Sequence, residues 1–211
     1  MPAPIIDAWI DYSSPFAYLG STQIERLARE AGATVRFRPF LLGGLFRAIG
    51  TPLVPIAAMP DAKRRLVLLD LERWADVWGV PFRFATRFPL RTVDALRLTL
   101  LAPEDRRAPL VHALMRATWA EDRDPADPSV LSAGCAEAGV DPALAHRTAE
   151  AKAALTVATE EAAGLGICGA PTFVVDGQLF WGQDRLDHVA RAVRGWRVEP
   201  RHATLPGRGP T

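Results

Sequence analysis

Ile5-Ile6-Asp7-Ala8-Trp9-Ile10 is an apolar run broken once, at Asp7, and it leads directly into Asp11-Tyr12-Ser13-Ser14-Pro15-Phe16. An apolar run this short, followed by turn residues, reads as a buried strand. Ser14 before Pro15 reads as a helix start. The serine oxygen accepts a free N–H of the first turn, and proline gives up no hydrogen bond at the first helical position. Ile24, Leu27, Ala28 and Ala31 then recur at helical spacing, and Gly32 ends the run. Thr34-Val35-Arg36-Phe37-Arg38 alternates as a second strand. Strand, helix and strand within about forty residues make a βαβ unit, so the two strands are expected to be parallel.

Beyond this unit the text turns helical from Leu41 to Gly164. Gly and Pro recur between Gly43 and Pro60, which reads as an irregular loop or short turns. Lys63 to Trp78 places Leu66, Leu69, Trp74, Val77 and Trp78 on one side, with Trp74 and Trp78 read as core, and Gly79 follows. Thr92 to Leu101 and Glu104 to Glu121 are further helices. Asp127-Pro128 and Asp141-Pro142 repeat the cap-then-proline signal, the second opening a long Ala-rich helix to Gly164. Five helices are thus expected. Thr172-Phe173-Val174-Val175 and Gln178-Leu179-Phe180-Trp181 flank Asp176-Gly177, a hairpin signature. A closing helix runs from Asp184 to Trp196 with Leu186, Val189, Ala190 and Val193 on one face.

The order βαβ, helices, ββα is that of an α/β, thioredoxin-like mixed sheet interrupted by an all-helical insertion domain. Residues 1–40 and 165–199 are assigned to the thioredoxin-like domain, 41–164 to the insertion, and 200–211 to a flexible Pro/Gly-rich tail.

In 211 residues, 25 basic against 24 acidic side chains leave a formal charge of +1. That balance supplies no basic field for nucleic acid and no polybasic stripe for a membrane. No apolar run approaches the ~20 residues of a spanning helix. The start lacks a basic region before its apolar run, so no secretory signal is read there. Cys135 and Cys168 are far apart and form no CxxC, the usage expected of a cytoplasmic protein with reduced thiols. Cys168 is read as a small buried filler. The four histidines have no Cys or carboxylate at ligand spacing, so no metal site is expected. No GxGxxG, GxxxxGK[ST] or GxSxG occurs.

Three constellations carry chemistry. Ser14 stands where a strand hands over to a helix, a place that favours an anion, including a thiolate. Ser14-Pro15-Phe16-Ala17 has no sulfur at either end, which excludes disulfide exchange by this site itself. Ser14 is either a helix cap alone or a hydrogen-bond donor to a sulfur brought by a small molecule. Gly169-Ala170-Pro171-Thr172 precedes the hairpin. A cis Ala170-Pro171 bond would turn the chain there and leave both Ala170 backbone groups free for a ligand. Trp181-Gly182-Gln183-Asp184-Arg185 joins the hairpin to the last helix. Gln183 and Asp184 can accept from an ammonium while first-turn N–H groups take a carboxylate, the pairing an α-amino acid needs. The alternative there is a capped helix with a charge pair.

Asp11-x-x-Ser14-Pro15-Phe16-x-Tyr18-Leu19, Asp70-Leu71-x-Arg73-Trp74-Ala75, Gly169-Ala170-Pro171-Thr172-Phe173 and Trp181-Gly182-Gln183-Asp184-Arg185, with the segment around Trp119, resemble the family of 2-hydroxychromene-2-carboxylate isomerases and kappa-class glutathione transferases. The resemblance spans about residues 5 to 196. It implies glutathione as cofactor, a small aromatic substrate, a homodimer, and a thioredoxin domain interrupted by helices. It places Ser14 beside the glutathione sulfur as the catalytic residue, Ala170 and Pro171 along the tripeptide, and Trp181, Gly182, Gln183 and Asp184 at its γ-glutamyl end. Lys63 and Phe88 fall near substrate-binding positions. The implied reaction interconverts 2-hydroxychromene-2-carboxylate and trans-o-hydroxybenzylidenepyruvate in aromatic hydrocarbon catabolism, through reversible addition of the thiolate. Transferase conjugation of electrophiles, and a non-catalytic binding module, are the alternatives. The chain departs from the isomerase pattern at Gly50-Thr51-Pro52-Leu53-Val54-Pro55-Ile56, which is apolar where the family carries polar residues, and at Phe46, near which the family carries a lysine.

Overall fold

The computed structural model describes residues 3–198. The tail 200–211 lies outside them. β1 (Ile5–Ile10), α1 (Pro15–Ala31) and β2 (Thr34–Pro39) form the expected unit, with β1 and β2 parallel from Ile5↔Thr34 to Ile10↔Pro39. Asp7, the polar break in the first run, faces Arg36 in this register and takes two hydrogen bonds from its guanidinium, at 2.5 and 2.8 Å. Between β2 and β3 every element is helical: α2 (Leu42–Ile49), α3 (Asp61–Trp78), α4 (Val93–Leu101), α5 (Glu104–Trp119), α6 (Pro128–Ala138) and α7 (Lys152–Gly164). β3 (Thr172–Val175) and β4 (Gln178–Trp181) return the chain to the sheet, and α8 (Leu186–Val193) closes it. The strand order is β2-β1-β3-β4, with β3 antiparallel to both neighbours. Asp176 and Gly177 both have positive φ, 46° and 77°, as a tight two-residue hairpin requires.

Several expectations are corrected. Leu42–Ile49 is helical, where Gly43 and Gly44 read as irregular. Packing overrides propensity here: Leu45 and Phe46 are buried, and the helix start is tied from outside. The Leu42 N–H donates to Asp11 Oδ2 at 2.7 Å and the Leu41 N–H to Thr159 Oγ1 at 3.0 Å. Gly44 lets α2 approach α7, since a β-carbon there would come within 3.1 Å of the Thr159 methyl. The Ala-rich stretch from Asp141 is not one helix. It is two 3-10 segments, Pro142–His146 and Thr148–Ala151, before α7. Thr148 is buried and its hydroxyl donates to Asp94 Oδ1 at 2.8 Å, hooking the break onto α4. The last helix is a 3-10 turn, Gln183–Arg185, followed by α8, and six α-helices stand where five were expected. On α3 it is Leu71 and Ala75 that are buried. Leu66 (62% exposed), Leu69 (40%) and Val77 (72%) face outward, while Trp74 and Trp78 pack ring on ring at 4.6 Å, half-buried against the core. Cys168 is exposed, because the chain leaves α7 through Gly166 (φ 82°) with Ile167 turned in.

The helical segment is fixed to the sheet through the residues that follow β1. The buried Asp11 carboxylate accepts four hydrogen bonds: from the Ser13 N–H (2.9 Å), the Ser13 hydroxyl (3.0 Å), the Thr92 hydroxyl ahead of α4 (2.7 Å) and the Leu42 N–H of α2. Burial pushes the Asp11 carboxyl above the usual carboxylate range, and these four donors oppose that shift. Next to it, the Tyr12 hydroxyl meets Thr99 Oγ1 of α4, and the Tyr12 carbonyl accepts from the indole N–H of the fully buried Trp119 at 2.9 Å. On the far side of α1, Glu25 meets His112 of α5 at 2.5 Å.

Asp11→Ala leaves the Ser13 and Leu42 N–H groups without their acceptor, a loss of about 3 kcal/mol. Thr92→Val removes one hydroxyl donor, about 1 kcal/mol. Urea unfolding followed by circular dichroism should rank the two in that order. The His112 hydrogen bond holds the Glu25 carboxyl below its ordinary value, so its stabilising effect is present above the unfolded-state value of about 4.3 and is lost as pH falls through the depressed one. The wild-type chain should therefore unfold at higher urea than Glu25→Gln at pH 6, and the gap should close toward pH 3.

Candidate functional site

Ser14 closes the strand-to-helix junction and is 5% exposed. Its Oγ accepts from the Ala17 N–H at 3.2 Å, capping α1 as the sequence predicts. The same hydroxyl gives its proton to the Ala170 carbonyl, at 2.7 Å. Ala170-Pro171 is cis. The Ala170 carbonyl is thus already held by Ser14, where the sequence reading left both backbone groups of Ala170 free.

Around this bond the hairpin and the last helix converge on α1. Gly20 allows the approach: a β-carbon there would lie 3.2 Å from Pro171 Cγ and 3.5 Å from Gln183 Cβ. The Gly182 N–H donates to the Pro171 carbonyl at 2.9 Å. Gly182 has φ 108°, which a side chain rarely adopts, and the Asp184 carboxylate folds back over it. Gln183 is buried, whereas Asp184 is exposed and paired with Arg185 at 2.5 Å. The Trp181 ring lies against Gly169, where a β-carbon would collide with its indole nitrogen, and is 59% exposed, a flat face beside Ala170. Ser14, Ala170, Pro171, Trp181, Gly182, Gln183 and Asp184 therefore gather at one end of the sheet.

Phe88 and Lys63 lie apart, in the helical segment. Phe88 lines a cavity of about 460 Å³ together with Phe82, Phe84, Pro89, Val54 and Ile56, and α3 contributes Arg64, Leu68 and Glu72. Lys63 is an exposed neighbour of Arg64 on α3. Phe82, Phe84 and Phe88 all contact the Trp119 ring, with centroids 6.3, 5.6 and 6.5 Å away. The segment carrying these rings is fastened at both ends to the Ser14 junction. The Tyr18 hydroxyl donates to the Pro81 carbonyl at 2.6 Å, and Thr92 donates to Asp11. An aromatic-walled cleft thus stands on the framework that fixes Ser14.

The arrangement offers a hydroxyl beside a helix N-terminus, a strand-like carbonyl, a flat aromatic face, an exposed carboxylate and a separate apolar cleft. These groups suit a peptide-like small molecule and a flat apolar one. Burial pushes the Cys135 thiol up to about 11, which makes it inert. Among the described residues no cluster of His, Cys, Asp and Glu could hold a metal ion, and no helix is long and apolar enough to cross a membrane. Sequence reasoning assigned no role to Asp11, Thr92, Phe82, Phe84 or Arg64. Of these, the alternation Phe82-x-Phe84 just after Gly79-Val80-Pro81 was a signal in plain text. Asp11 and Thr92 meet only through the fold.

The description of a DSBA-like thioredoxin domain matches residues 5–194. A 2-hydroxychromene-2-carboxylate isomerase of Sphingobium xenophagum is 32% identical over 194 residues, covering 87% of this chain and 95% of that protein. Glutathione S-transferase kappa 2 of Caenorhabditis elegans is 28% identical over 204 residues, covering 88% and 90%. A solved 2-hydroxychromene-2-carboxylate isomerase structure superposes with a TM-score of 0.78 at 25% identity, covering 90% of this chain and 95% of the other. The match spans nearly all of the described residues, and the chain belongs to the DSBA-like thioredoxin domain family.

Proposed function

We propose that the protein is a glutathione-dependent isomerase that interconverts 2-hydroxychromene-2-carboxylate and trans-o-hydroxybenzylidenepyruvate, with Ser14 as its catalytic residue. The observation that carries this reading is the single hydroxyl bridge from Ser14 to the Ala170 carbonyl, in a site without a thiol of its own. The isomerase and kappa transferase relatives support it. Glutathione supplies, when bound, a thiolate that adds reversibly to the substrate's double bond and so frees rotation about it.

The residues present fit such a tripeptide. Ala170 offers a strand edge for its backbone, as in β-augmentation, and Pro171 lies beside it along the tripeptide. Trp181 offers a flat wall, and Gln183 and Asp184 take the γ-glutamyl ammonium. Ser14 has one proton to give. With the site as described, that proton goes to the Ala170 carbonyl. A peptide N–H reaching the same carbonyl replaces Ser14 as its donor, and the hydroxyl turns to the sulfur. The exchange is favourable on magnitude: a hydrogen bond between neutral groups contributes about 1 kcal/mol and one to a charged group about 1.5–3 kcal/mol. One unit of thiol pKa depression needs about 1.4 kcal/mol, so one such bond beside a helix N-terminus suffices. Phe88 and its neighbouring rings receive the aromatic substrate. Lys63, exposed on α3 next to the cleft residue Arg64, adds a positive charge that attracts an anionic substrate. The reading includes a cytoplasmic setting and a homodimer. Leu66, Leu69 and Val77 on α3 provide an exposed apolar face for a partner copy.

Incubation with glutathione and the chromene acid should give the trans-pyruvate with glutathione regenerated. Conjugation of 1-chloro-2,4-dinitrobenzene without isomerisation would instead favour the transferase, and no retention on immobilised glutathione would favour a binding module. Ser14→Ala should keep glutathione affinity within a few-fold but lose the thiolate absorbance near pH 7. Glutathione methylated at its cysteinyl amide nitrogen should bind the wild-type site without that absorbance, because it cannot replace Ser14 at Ala170. Asp184→Ala should weaken glutathione about tenfold, or 1.4 kcal/mol, by calorimetry.

A further inference from the structure

The aromatic wall of the cleft is carried by a stretch without regular structure. Residues 79–92, between α3 and α4, form neither helix nor strand, so no ladder of backbone bonds fixes where Phe84 and Phe88 stand. Separate tethers do so, and two of them converge on the end of α5. The Arg83 N–H donates to the Trp119 carbonyl at 2.6 Å. Three residues beyond Trp119, Asp122 grips Thr86 with both carboxylate oxygens. Oδ1 accepts from the Thr86 N–H and Oδ2 from the Thr86 hydroxyl, each at 2.8 Å. The Asp122 carbonyl also accepts from the Arg87 guanidinium at 3.0 Å. Phe84 lies between the two tethers. Phe88 follows the second in a turn closed by its own N–H on the Ala85 carbonyl at 3.1 Å. The two rings meet edge to face, with centroids 5.1 Å apart.

Asp122 has φ 56°, a left-handed conformation that aspartate tolerates better than most side chains. Its bonds to Thr86 hold the carboxyl below the usual carboxylate range, so it stays an acceptor at neutral pH. Its ion pair with Arg83, at 3.5 Å and with Arg83 62% exposed, is weak. The grip is therefore a pair of hydrogen bonds rather than a charge pair.

We propose that Asp122 is a positioning residue for ligand selection: by holding the Thr86 turn it sets the gap between the Phe84 and Phe88 rings and α3, so that the cleft admits a planar ring and rejects a thick one. Asp122 acts through the rings, since it does not itself line the cavity. For turnover this rests on the isomerase reading. For binding it does not.

The test compares the full chain with Asp122→Gly and Asp122→Asn. Glycine accepts the positive φ and removes the acceptor. Asparagine keeps an acceptor for the Thr86 N–H, and its amide donates to the Thr86 oxygen. Calorimetry without glutathione should show planar 2-naphthol bound about tenfold more tightly than its saturated, thicker counterpart decahydro-2-naphthol. Asp122→Gly should cut that preference to about twofold, and Asp122→Asn should keep it. Thr86→Val, which loses only the hydroxyl bond, should fall between them. With glutathione and the chromene acid, Asp122→Gly should raise KM about fivefold while kcat and the thiolate absorbance stay within about twofold; a general loosening of the fold would move all three. A wild-type site without planar preference, a preference that survives Asp122→Gly, or one lost equally in Asp122→Asn would each overturn the assignment. Planar preference lost in Asp122→Gly, in a chain that does not turn over the chromene acid, would reject the isomerase reading and leave the role of Asp122. Turnover with a preference that Asp122→Gly leaves unchanged would do the reverse.

Discussion

One proton on the Ser14 hydroxyl, given to the Ala170 carbonyl, joins parts of the chain 156 residues apart. The bond spans the interruption of the fold, tying the helix that follows β1 to the turn that precedes β3. It also sets what the site can do. A serine here cannot exchange disulfides, and a hydroxyl already committed to a carbonyl is not free to stabilise an anion. On the proposed reading, a peptide N–H that reaches the Ala170 carbonyl takes the place of Ser14 there, and recognition of the backbone is coupled to release of the hydroxyl.

Three residues before Ser14, the Asp11 carboxylate brings a cost and a constraint. A buried carboxylate is poorly solvated. Burial raises its proton affinity and its four donors oppose that rise without cancelling it, and no counter-cation stands among those donors. In exchange, one side chain fixes the loop of Ser13, the start of α2 and the approach to α4. No apolar residue could do the same, since each of these elements presents a polar group that needs an acceptor. Trp119 plays the complementary part from the apolar side. It is buried among the rings of Phe82, Phe84 and Phe88, and its indole N–H reaches the Tyr12 carbonyl.

The parts of the fold set by local chemistry were legible in the text. Ser14-Pro15 starts a helix because of what serine and proline do to a first turn, and Asp176-Gly177 turns a hairpin because both residues tolerate positive φ. Parallel pairing of β1 and β2 followed from the intervening helix. Elements whose stability comes from distant partners were not legible. α2 forms over two glycines because Asp11, Thr159 and the core hold it, and no window of sequence contains those three. The apolar positions of α3 were visible, but they lie on more than one side of the helix, and the side that the pattern emphasised faces outward. The residues gathered around Ala170 and Trp181 were found from turn chemistry and resemblance. Arg64 was passed over for its neighbour Lys63, because one residue along a helix is a rotation of 100° and the sequence does not say which of two adjacent cations faces a cavity.

Rotation and position along the axis together divide the work of α3. Leu71 and Ala75 anchor it in the core. Arg64, Leu68 and Glu72 form one wall of the cleft. Leu66, Leu69 and Val77 fall on the opposite side of the helix from that wall, so a partner covering them leaves the cleft open. The sheet end holds the Ser14–Ala170 bond and the Trp181 face, and the helical segment holds the aromatic-walled cleft. The two are joined through Asp11, Tyr12, Tyr18 and Trp119. Arg64, Leu68 and Glu72 stand on α3 and Ser14 at the start of α1, so the cleft wall and the Ser14–Ala170 bond belong to different elements of the fold.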